Sequence, residues 1–323
     1  MKQKIAILAG GFSSEWEISL KSADIVYKNL NRSIYEPYIV VVRKDQWYVI
    51  DGEDEHNLDL NYFGFLKNGK KVRFDLVFNA IHGDPGENGK LQGYMESKGI
   101  MHTSCSQSLS ALTFNKWQCN TVLQKMGFDC AKSILLDEND EVVPEEIIND
   151  LGLPLFVKPN SAGSSFGVSK VTSSDELEPA IKRAFSEGSD VILESFMEGT
   201  ELGCGVFNYK GKITALTPTE IRTENEFFDY EAKYEGKSQE ITPAEISDEM
   251  TIRVKEISAS VYKKLHARGI IRIDFIIIKD KPHIIEVNTI PGLSAESIVP
   301  QQVAYDGIEL SDFFGMLLEE ARS

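Results

Sequence analysis

Two acidic residues near the end of the chain are spaced so that they could share one metal ion. Two strand-like runs, residues 270–278 and 283–287, are separated by a short turn-forming segment. If this hairpin turns at Asp280, Asp274 lies directly opposite Glu286. Directly opposed β-carbons are about 5 Å apart, and like charges at that distance are destabilising unless a cation compensates. The pattern therefore indicates a cation at this point.

The same face of the hairpin carries further polar groups. Period-two alternation places Arg272 beside Asp274, and the same register puts Asn288 opposite Arg272. Two carboxylates and an amide oxygen are hard ligands, the set that suits Mg²⁺ held together with substrate phosphates. Asp274, Glu286 and Asn288 are therefore the candidate metal ligands. The alternative is that both acids simply face the solvent, and the hairpin alone does not decide between the two.

A lysine followed by small residues forms a second candidate site. Lys158 ends a short apolar strand, and the segment 160–167 after it is rich in glycine and serine. Small residues let backbone N–H groups approach a phosphate closely, and the lysine adds a point charge. The lysine precedes the glycines, so this is not a Walker A loop. An ordinary mobile turn is the alternative.

Residues 163–167, with the sequence GSSFG, also match the nucleophile elbow of serine hydrolases. That motif requires a strand running into Gly163 and a helix leaving Ser165. Pro159 breaks the strand too early, and residues 168–171 have the pattern of a strand. A serine hydrolase is therefore the disfavoured alternative.

A third candidate site is the loop 82–89, HGDPGENG, which directly follows the apolar run 76–81. A glycine-rich loop at the C-terminal end of a sheet strand is where α/β folds usually bind ligands. His82 could contact such a ligand. It could equally be a hydrogen-bonding residue without a chemical role.

The elements that position these residues differ between the first third of the chain and the remainder. An apolar strand is predicted at 5–9, a turn at Gly10 and Gly11, a helix at 17–30 and a further helix at 90–98. Together with the strand at 76–81, this order predicts a parallel sheet covered by helices.

The remainder predicts an α+β region followed by a sheet with helices. Ser173 and Glu176 form a capping box ahead of an amphipathic helix. Short strands are predicted at 155–158, 168–171, 191–194, 202–207 and 212–216. The segment 219–239 is long, polar and without a period, which in a compact domain indicates a functional loop or lid.

The balance of charged residues limits the kinds of partner that the protein can be expected to bind. The 323 residues include 50 acidic and 34 basic side chains, and the formal net charge is −16. This charge repels phosphate backbones and anionic lipid, so neither nucleic acid nor a membrane is expected as a partner. The four cysteines show neither CxxC spacing nor a nearby histidine pair. We expect a soluble cytoplasmic protein with reduced thiols.

Taken in order, these pieces resemble the D-alanine–D-alanine ligase family of the ATP-grasp superfamily. The matching signatures are Gly10-Gly11 with Ser13-Ser14-Glu15 and Ser19, the loop 82–89, Lys116, Lys158-Pro159 with the loop 163–167, the segment 228–234 (FDYEAKY), Arg272-Ile273-Asp274 and the segment 286–292 (EVNTIPG). The resemblance implies an α/β fold with three lobes. These are an N-terminal parallel-sheet α/β substrate lobe (1–105), a small central α+β ATP-grasp lobe (106–200) and a C-terminal sheet-and-helix lobe (201–323) that carries the metal site and the lid (about 219–239).

The resemblance also implies roles for single residues. By that analogy the ATP-binding residues are Lys116, Lys158, Ser164, Ser165, Glu194, Glu201 and Lys233. The lysines contact the phosphates, the two glutamates hold the adenosine, and the three candidate metal ligands hold two Mg²⁺ or Mn²⁺ ions. The substrate-binding residues are Glu15, His82, Lys233 and Ser297. The catalytic residues are Glu15, Ser164, Tyr234, Arg272 and Gly292, of which the last two stabilise the tetrahedral intermediate.

The activity that the resemblance implies is ATP-dependent ligation of two D-alanine molecules through an acyl phosphate, for peptidoglycan synthesis. Tyr234 favours an amine as the second nucleophile over a hydroxyl. The resemblance further implies a homodimer. Two alternatives stay open: another ATP-grasp ligase that joins a carboxylate to an amine, and a catalytically silent nucleotide-binding regulator.

Overall fold

The computed structural model describes residues 2–161, 167–223 and 238–322. The first elements are β1 (Gln3–Gly10), α1 (Trp16–Asn29), β2 (Tyr35–Val42), β3 (Trp47–Asp51), β4 (Asp54–Asn57), β5 (Gly64–Lys67), β6 (Lys70–Arg73), β7 (Leu76–Asn79) and α2 (Lys90–Ser97). Five of these strands form a sheet in the order β4-β3-β2-β1-β7. The strands β5 and β6 form a separate hairpin.

The centre of this sheet is parallel, as predicted, and its edge is not. β1 pairs in parallel with both β2 and β7, and residues 5–9 of β1 are completely buried, as expected of a strand covered on both faces. β3 and β4 run antiparallel at the edge. Short turns connect β2 to β3 and β3 to β4, and a short turn can join only antiparallel neighbours.

The next elements form a smaller antiparallel sheet with helices. They are α3 (Gln107–Phe114), α4 (Lys116–Lys125), β8 (Ser133–Asp137), α5 (Pro144–Leu151), β9 (Leu155–Pro159), β10 (Ser169–Val171), α6 (Ser174–Phe185) and β11 (Asp190–Ser195). The strand order is β10-β9-β11-β8. The predicted capping box of Ser173 and Glu176 is present at the start of α6. Leu177, Ile181 and Ala184 bury the apolar face of α6 against this sheet.

The last elements form a third sheet. They are β12 (Thr200–Tyr209), β13 (Lys212–Ala215), β14 (Thr219–Thr223), β15 (Ser238–Ile241), α7 (Asp248–Lys264), β16 (Ile270–Ile278), β17 (Lys281–Asn288), α8 (Ile298–Tyr305) and α9 (Leu310–Glu320). The order is β15-β14-β12-β16-β17, with β13 also paired to β12. Every pairing in this sheet is antiparallel.

Two shared cores join these layers. Phe313 and Phe314 of α9 are fully buried in one cluster with Ile5 and Phe78 of the first sheet. Helices α3 and α4 contribute Leu109 and Leu123 to the core of the third sheet, and so do residues of α7. The predicted lobe boundaries near residues 105 and 200 stay predictions.

The prediction of an irregular loop at residues 219–239 is wrong at both ends of that segment. Residues 219–223 and 238–241 are strands that pair with each other in antiparallel register, with Thr223 opposite Ser238. The polar sequence hides this pairing because Glu220 is buried with partners, accepting hydrogen bonds from Arg222 and from the Glu245 N–H. The middle of the predicted lid, with Lys233 and Tyr234, lies outside the described residues. Among the described helices, none is long and apolar enough to cross a membrane.

Candidate active site

A cleft of about 1290 Å³ opens between the three large sheets. Its lining includes every candidate residue that the structure describes: Glu15, His82, Lys116, Lys158, Glu194, Glu201, Arg272, Asp274, Glu286, Asn288, Gly292 and Ser297. The remaining candidates, Ser164, Ser165, Lys233 and Tyr234, lie outside the described residues. Side chains that are far apart in the sequence therefore meet in one place.

The hairpin formed by β16 and β17 has the pairing predicted at its polar face. Asp274 lies opposite Glu286, and Arg272 lies opposite Asn288. The turn itself differs from the prediction. The loop consists of Lys279 and Asp280, which both have positive φ.

The pairing that begins at this two-residue turn, if continued unchanged, would place Asp274 opposite Ile285 instead of Glu286. Ile278 pairs with Lys281 and Phe275 with Ile284, and a register shift then follows between Asp274 and Phe275. The shift leaves Ile285 as an extra residue in β17, which is a β-bulge. The bulge restores the opposition of the two carboxylates, and it sits next to the residues that the site needs.

The guanidinium of Arg272 binds Asp274 with two hydrogen bonds. Nε donates to Oδ1 at 2.6 Å and Nη2 to Oδ2 at 2.8 Å. The amide of Asn288 also donates to Asp274 Oδ2, at 2.9 Å. Burial acts to lower the pKa of Arg272, but the carboxylate of Asp274 outweighs it and the pKa is raised. Arg272 is therefore a fixed positive charge at the wall of the cleft.

The polar face of the hairpin fits a hard divalent cation. The Nζ of Lys116 lies 3.9 Å from Glu286 Oε2 and Arg272 binds Asp274, so side-chain cations already compensate the two carboxylates. The fit to a metal ion therefore rests on the donor set and not on uncompensated charge. Two carboxylates with an amide, completed by substrate phosphates, is a donor set that Mg²⁺ accepts. Within the described ranges, no group of three His, Cys, Asp or Glu side chains is placed to hold a metal, and the third donor proposed here is an asparagine.

The second lysine is held by a buried carboxylate. Lys158 Nζ donates to Glu194 Oε2 at 2.7 Å, and the Asn120 amide donates to Glu194 Oε1 at 2.7 Å. Burial acts to lower the pKa of Lys158, but Glu194, helped by Glu286 and Glu201, raises it above the ordinary value. Lys158 therefore faces the cleft as a cation.

Apolar side chains surround the two glutamates at this end of the cleft. Phe156 pairs with Glu194 in the sheet, and its ring lies 5.8 Å from that of Phe196. Glu201 of β12 pairs with Ile221 on one side and Ile276 on the other. An apolar pocket with a few polar groups suits a flat heteroaromatic ring.

The ring of His82 is fully engaged by the protein. Nδ1 lies 2.9 Å from the carbonyl oxygen of Ile290, and Nε2 lies 3.0 Å from Ser22 Oγ. A carbonyl only accepts, so Nδ1 carries the proton and donates. Burial lowers the pKa of His82, against the opposing effect of Glu15, so the ring is neutral and Nε2 accepts from Ser22. A carboxylate can reach either nitrogen only if one of these bonds breaks.

Glu87 belongs to the loop 82–89 and lies near Glu15. Glu87 Oε2 accepts a 2.9 Å hydrogen bond from the Gly83 N–H. Burial, followed by the charge of Glu15, raises the pKa of Glu87 to about 8. Sequence reasoning did not select Glu87 as a candidate. The available signal was its position in the loop, five residues after His82.

Gly292 closes the other end of the cleft against Ser297. A β-carbon built on Gly292 would lie 2.6 Å from Ser297 Oγ. Ser297 Oγ is itself 2.9 Å from Ser294 Oγ, and Ser297 occupies the N-cap position of α8. Any larger residue at 292 would therefore displace the side chain of Ser297, which also lines the cleft.

Three sheets around a cleft that holds paired carboxylates and two lysines are the arrangement that the resemblance to ATP-grasp ligases predicts. Comparison with known proteins agrees. The family described as D-ala D-ala ligase N-terminus matches residues 4–105, and the one described as D-ala D-ala ligase C-terminus matches residues 122–319. The chain belongs to the D-alanine–D-alanine ligase family, which confirms the resemblance inferred from the sequence.

Individual relatives are similar over the whole chain. The D-alanine–D-alanine ligase of Christiangramia forsetii is 51% identical over 322 residues, covering 99% of both chains. The crystal structure of VanG D-Ala:D-Ser ligase from Enterococcus faecalis has a TM-score of 0.90 at 32% identity, covering 99% of this chain and 100% of that one. The D-alanine–D-alanine ligase from Bacillus anthracis complexed with ATP has a TM-score of 0.79 at 27% identity, covering 99% and 97%. The predicted fold class and the predicted ATP-dependent ligase activity are confirmed by this membership.

Proposed function

We propose that this protein joins two molecules of D-alanine within the described cleft, using ATP bound between the second and third sheets. One observation carries the proposal: the opposed Asp274 and Glu286 share a cleft with Lys116, Lys158 and Arg272. Phosphoryl transfer needs positioning and charge neutralisation rather than a protein nucleophile, and this set supplies both.

The phosphates of ATP would lie beside Lys116 and Lys158. Asp274, Glu286 and Asn288 would hold two Mg²⁺ or Mn²⁺ ions. When bound, these ions neutralise charge on the transferring phosphoryl group. Glu194 and Glu201 stand at the apolar end, where the adenosine would lie. The roles of Ser164, Ser165 and Lys233 rest on the family resemblance.

The reaction has two steps in this proposal. An oxygen of the first D-alanine carboxylate attacks the γ-phosphorus, the bond to the ADP oxygen breaks, and an acyl phosphate forms. The ammonium group of the second D-alanine releases one proton to the solvent, and the resulting amine attacks the acyl carbon. The bond to the phosphate oxygen then breaks, and inorganic phosphate leaves with the second proton from the nitrogen. Glu15 would bind the first ammonium group near His82, and Ser297 the second carboxylate.

The tetrahedral intermediate of the second step carries an oxyanion that needs donors already in place. The two hydrogen bonds that Arg272 donates to Asp274 fix its guanidinium in place. Its raised pKa keeps the group charged throughout the pH range in which the protein would work. The backbone N–H of Gly292 would be the second donor. Ser164 and Tyr234 would extend a hydrogen-bond network from Glu15, by the family resemblance.

The second amino acid is the part most open to an alternative. The similar Enterococcus faecalis structure is a D-Ala:D-Ser ligase, whereas the more similar curated relatives are D-alanine–D-alanine ligases. The higher identity favours D-alanine. Another carboxylate–amine ligase is the competing function, and the intact carboxylate pair argues against a silent regulator.

A phosphate-release assay tests the proposal. Purified protein with ATP and Mg²⁺ should release phosphate when D-alanine is added, and the dipeptide should be detected by mass spectrometry. Release with D-serine or D-lactate in equal amounts, or release only with another amino acid, would contradict the substrate assignment. L-alanine is the control and should give no release.

The serine-hydrolase alternative loses its structural context. Residues 169–171 are strand β10, paired antiparallel with β9, so no helix continues through them from Ser165.

We also propose a cytoplasmic location, because ATP is supplied there and the four cysteines are free. The homodimer stays a prediction from the resemblance, which light scattering would test.

A further inference from the structure

Asn160 joins the two elements that carry the candidate phosphate lysines. It follows β9, two residues after Lys158, and it is completely buried. Its backbone carbonyl accepts from the Lys116 N–H at 3.1 Å, and its side-chain Oδ1 accepts from the Trp117 N–H at 2.8 Å. These two N–H groups open helix α4, so one residue satisfies two donors that a helix N-terminus leaves without intrahelical partners.

The other half of Asn160 is fixed to β11. Its N–H donates to the Asp190 carbonyl at 2.9 Å, and Nδ2 donates to Asp190 Oδ2 at 2.5 Å. The orientation of the amide is determined by these partners, because the Trp117 N–H can only donate and a carboxylate can only accept. Every hydrogen-bonding group of Asn160 is therefore used, and only a side chain with both a donor and an acceptor at this reach can replace it.

A second link joins the same elements on the side facing the cleft. Asn120 lies one helical turn after Lys116 and donates to Glu194, which in turn binds Lys158. Helix α4 is thus attached to the small sheet at its first turn by Asn160 and at its second turn by Asn120. Lys116 lies at the start of this doubly anchored segment.

We propose that Asn160 is a positioning residue for nucleotide binding, fixing Lys116 relative to Lys158 so that both lysines reach the same run of phosphates. This rests on the proposed role of both lysines in binding ATP. Preorganised charges bind a ligand without first losing their own conformational freedom, so loosening the link weakens ATP binding more than it weakens D-alanine binding.

The test exchanges the side chains at positions 160 and 190, which form the hydrogen bond between Asn160 and Asp190. Asn160→Asp keeps the acceptor for Trp117 but places a carboxylate against Asp190. Leaving such a pair uncompensated should raise the dissociation constant of a non-hydrolysable ATP analogue about tenfold or more, measured by calorimetry. Adding Asp190→Asn restores one donor and one acceptor across the contact. The double variant should return to within about threefold of the wild-type affinity.

Two controls separate positioning from charge and from stability. Asn115→Asp adds the same charge at the same helix terminus, where Asn115 caps α4 through the Gln118 N–H, and it should leave ATP affinity unchanged. Asp190→Asn alone keeps an acceptor for Asn160 and should also bind normally. In steady state, Asn160→Asp should raise the KM for ATP while the KM for D-alanine changes less than about twofold.

The contrary result is specific. If Asn160→Asp lowers the melting temperature but leaves the affinity of the folded protein for the ATP analogue unchanged, Asn160 has only a structural role. If that variant does not fold, Asp190→Ala removes the same side-chain bond, and unchanged affinity there overturns the proposal. Wild-type protein that binds the analogue but releases no phosphate with D-alanine contradicts the proposed function and leaves this test intact.

Discussion

Lys158 and Glu194 form a 2.7 Å ion pair whose side chains are only 17% and 7% exposed. The lysine comes from the end of β9 and the glutamate from β11, and Asn120 occupies the other carboxylate oxygen. Each charge is therefore satisfied before any ligand enters. A triphosphate that binds Lys158 has to compete with Glu194, so this pair couples the stability of the sheet to nucleotide binding.

Breaking the pair from one side should be costly. Lys158→Met leaves a buried carboxylate without its cation, and we expect the free energy of unfolding to fall by about 3 kcal/mol, the lower end for buried pairs because Lys158 keeps some exposure. Urea unfolding at neutral pH measures this loss. ATP-dependent phosphate release should disappear in the same variant.

Removing both charges separates the two effects. Lys158→Met with Glu194→Gln keeps an acceptor for Asn120 and leaves no unpaired charge, so most of the lost stability should return. Activity should not return. A double variant as unstable as the single one would show that the ion pair is not the source of the loss, and an active Lys158→Met would refute the phosphate role.

The contact of Gly292 with Ser297 gives a second prediction. In Gly292→Ala the new methyl would lie 2.6 Å from Ser297 Oγ, so the serine has to move. We expect kcat to fall by about tenfold or more, because a displacement of about 1 Å in a catalytic site can cost a hundredfold. Phosphate release at saturating substrates measures the effect.

Truncating the serine shows whether the collision is the cause. Gly292→Ala with Ser297→Ala removes the closest atom, and thermal unfolding should return toward the wild type while turnover stays low. Ser297→Ala alone is the matched control and should raise the KM for the second D-alanine with little loss of stability. Equal unfolding temperatures for the single Gly292 variant and the wild type would mean that the loop absorbs the methyl group.

The hairpin shows what the sequence could and could not predict. Period-two alternation correctly placed Arg272 and Asp274 on one face, because side-chain direction in a strand follows from local geometry. The pairing of Asp274 with Glu286 was also correct, although the assumed turn was wrong. The two-residue turn and the bulge at Ile285 each shift the register by one, and their effects cancel at the site. A bulge has no reliable sequence signal, so this cancellation could not be foreseen.

Other parts of the site depended on tertiary contacts. Asn120, Asn160 and Glu87 were missed because an asparagine or glutamate in isolation has no motif, and their roles arise from partners distant in sequence. Asn120 had a usable signal, since its position four residues after Lys116 puts both on one helical face, and Glu87 had the weaker signal of its place in the loop 82–89. The strands β14 and β15 were missed because β14 buries the polar residues Thr219 and Glu220, and because the short, largely polar β15 has the composition of a loop.

Glu286 should control the dependence on divalent ions. Glu286→Gln keeps the shape of the side chain and an acceptor for the Asn288 amide, which lies 3.4 Å from Oε1, but it removes one of the two charges. The Mg²⁺ concentration for half-maximal phosphate release should rise about tenfold or more. Binding of Mn²⁺ to the protein with ADP, followed by paramagnetic resonance, should weaken in parallel.

The control for this prediction is a carboxylate outside the cleft. Glu249→Gln changes an exposed side chain in the first turn of α7 that does not line the cleft, so its Mg²⁺ dependence should match the wild type. A Glu286→Gln variant with an unchanged Mg²⁺ requirement would remove Glu286 from the proposed ligand set. Addition of EDTA to the wild type should stop phosphate release and excess Mg²⁺ should restore it.

The raised pKa of Glu87 predicts how stability depends on pH. In the folded protein this pKa is about 8, against 4.5 ordinarily, first because the carboxyl is buried and second because Glu15 is near. Between about pH 5 and 8 the folded protein holds a proton on Glu87 that the unfolded chain has released. The folded state binds more protons, so raising the pH through this window lowers the free energy of unfolding by up to about 1.4 kcal/mol per unit.

Glu87→Gln should remove this contribution, since glutamine does not titrate and can still accept from the Gly83 N–H. Urea unfolding at several pH values should therefore show a flatter decline for the variant, with the two curves separating most near pH 8 and in favour of the variant. Glu178→Gln removes a surface carboxylate of α6 instead and should follow the wild-type curve. Parallel curves for Glu87→Gln and the wild type would mean that Glu87 ionises in the folded protein as it does in the unfolded chain, and the loop 82–89 would then carry a second negative charge beside Glu15 at neutral pH.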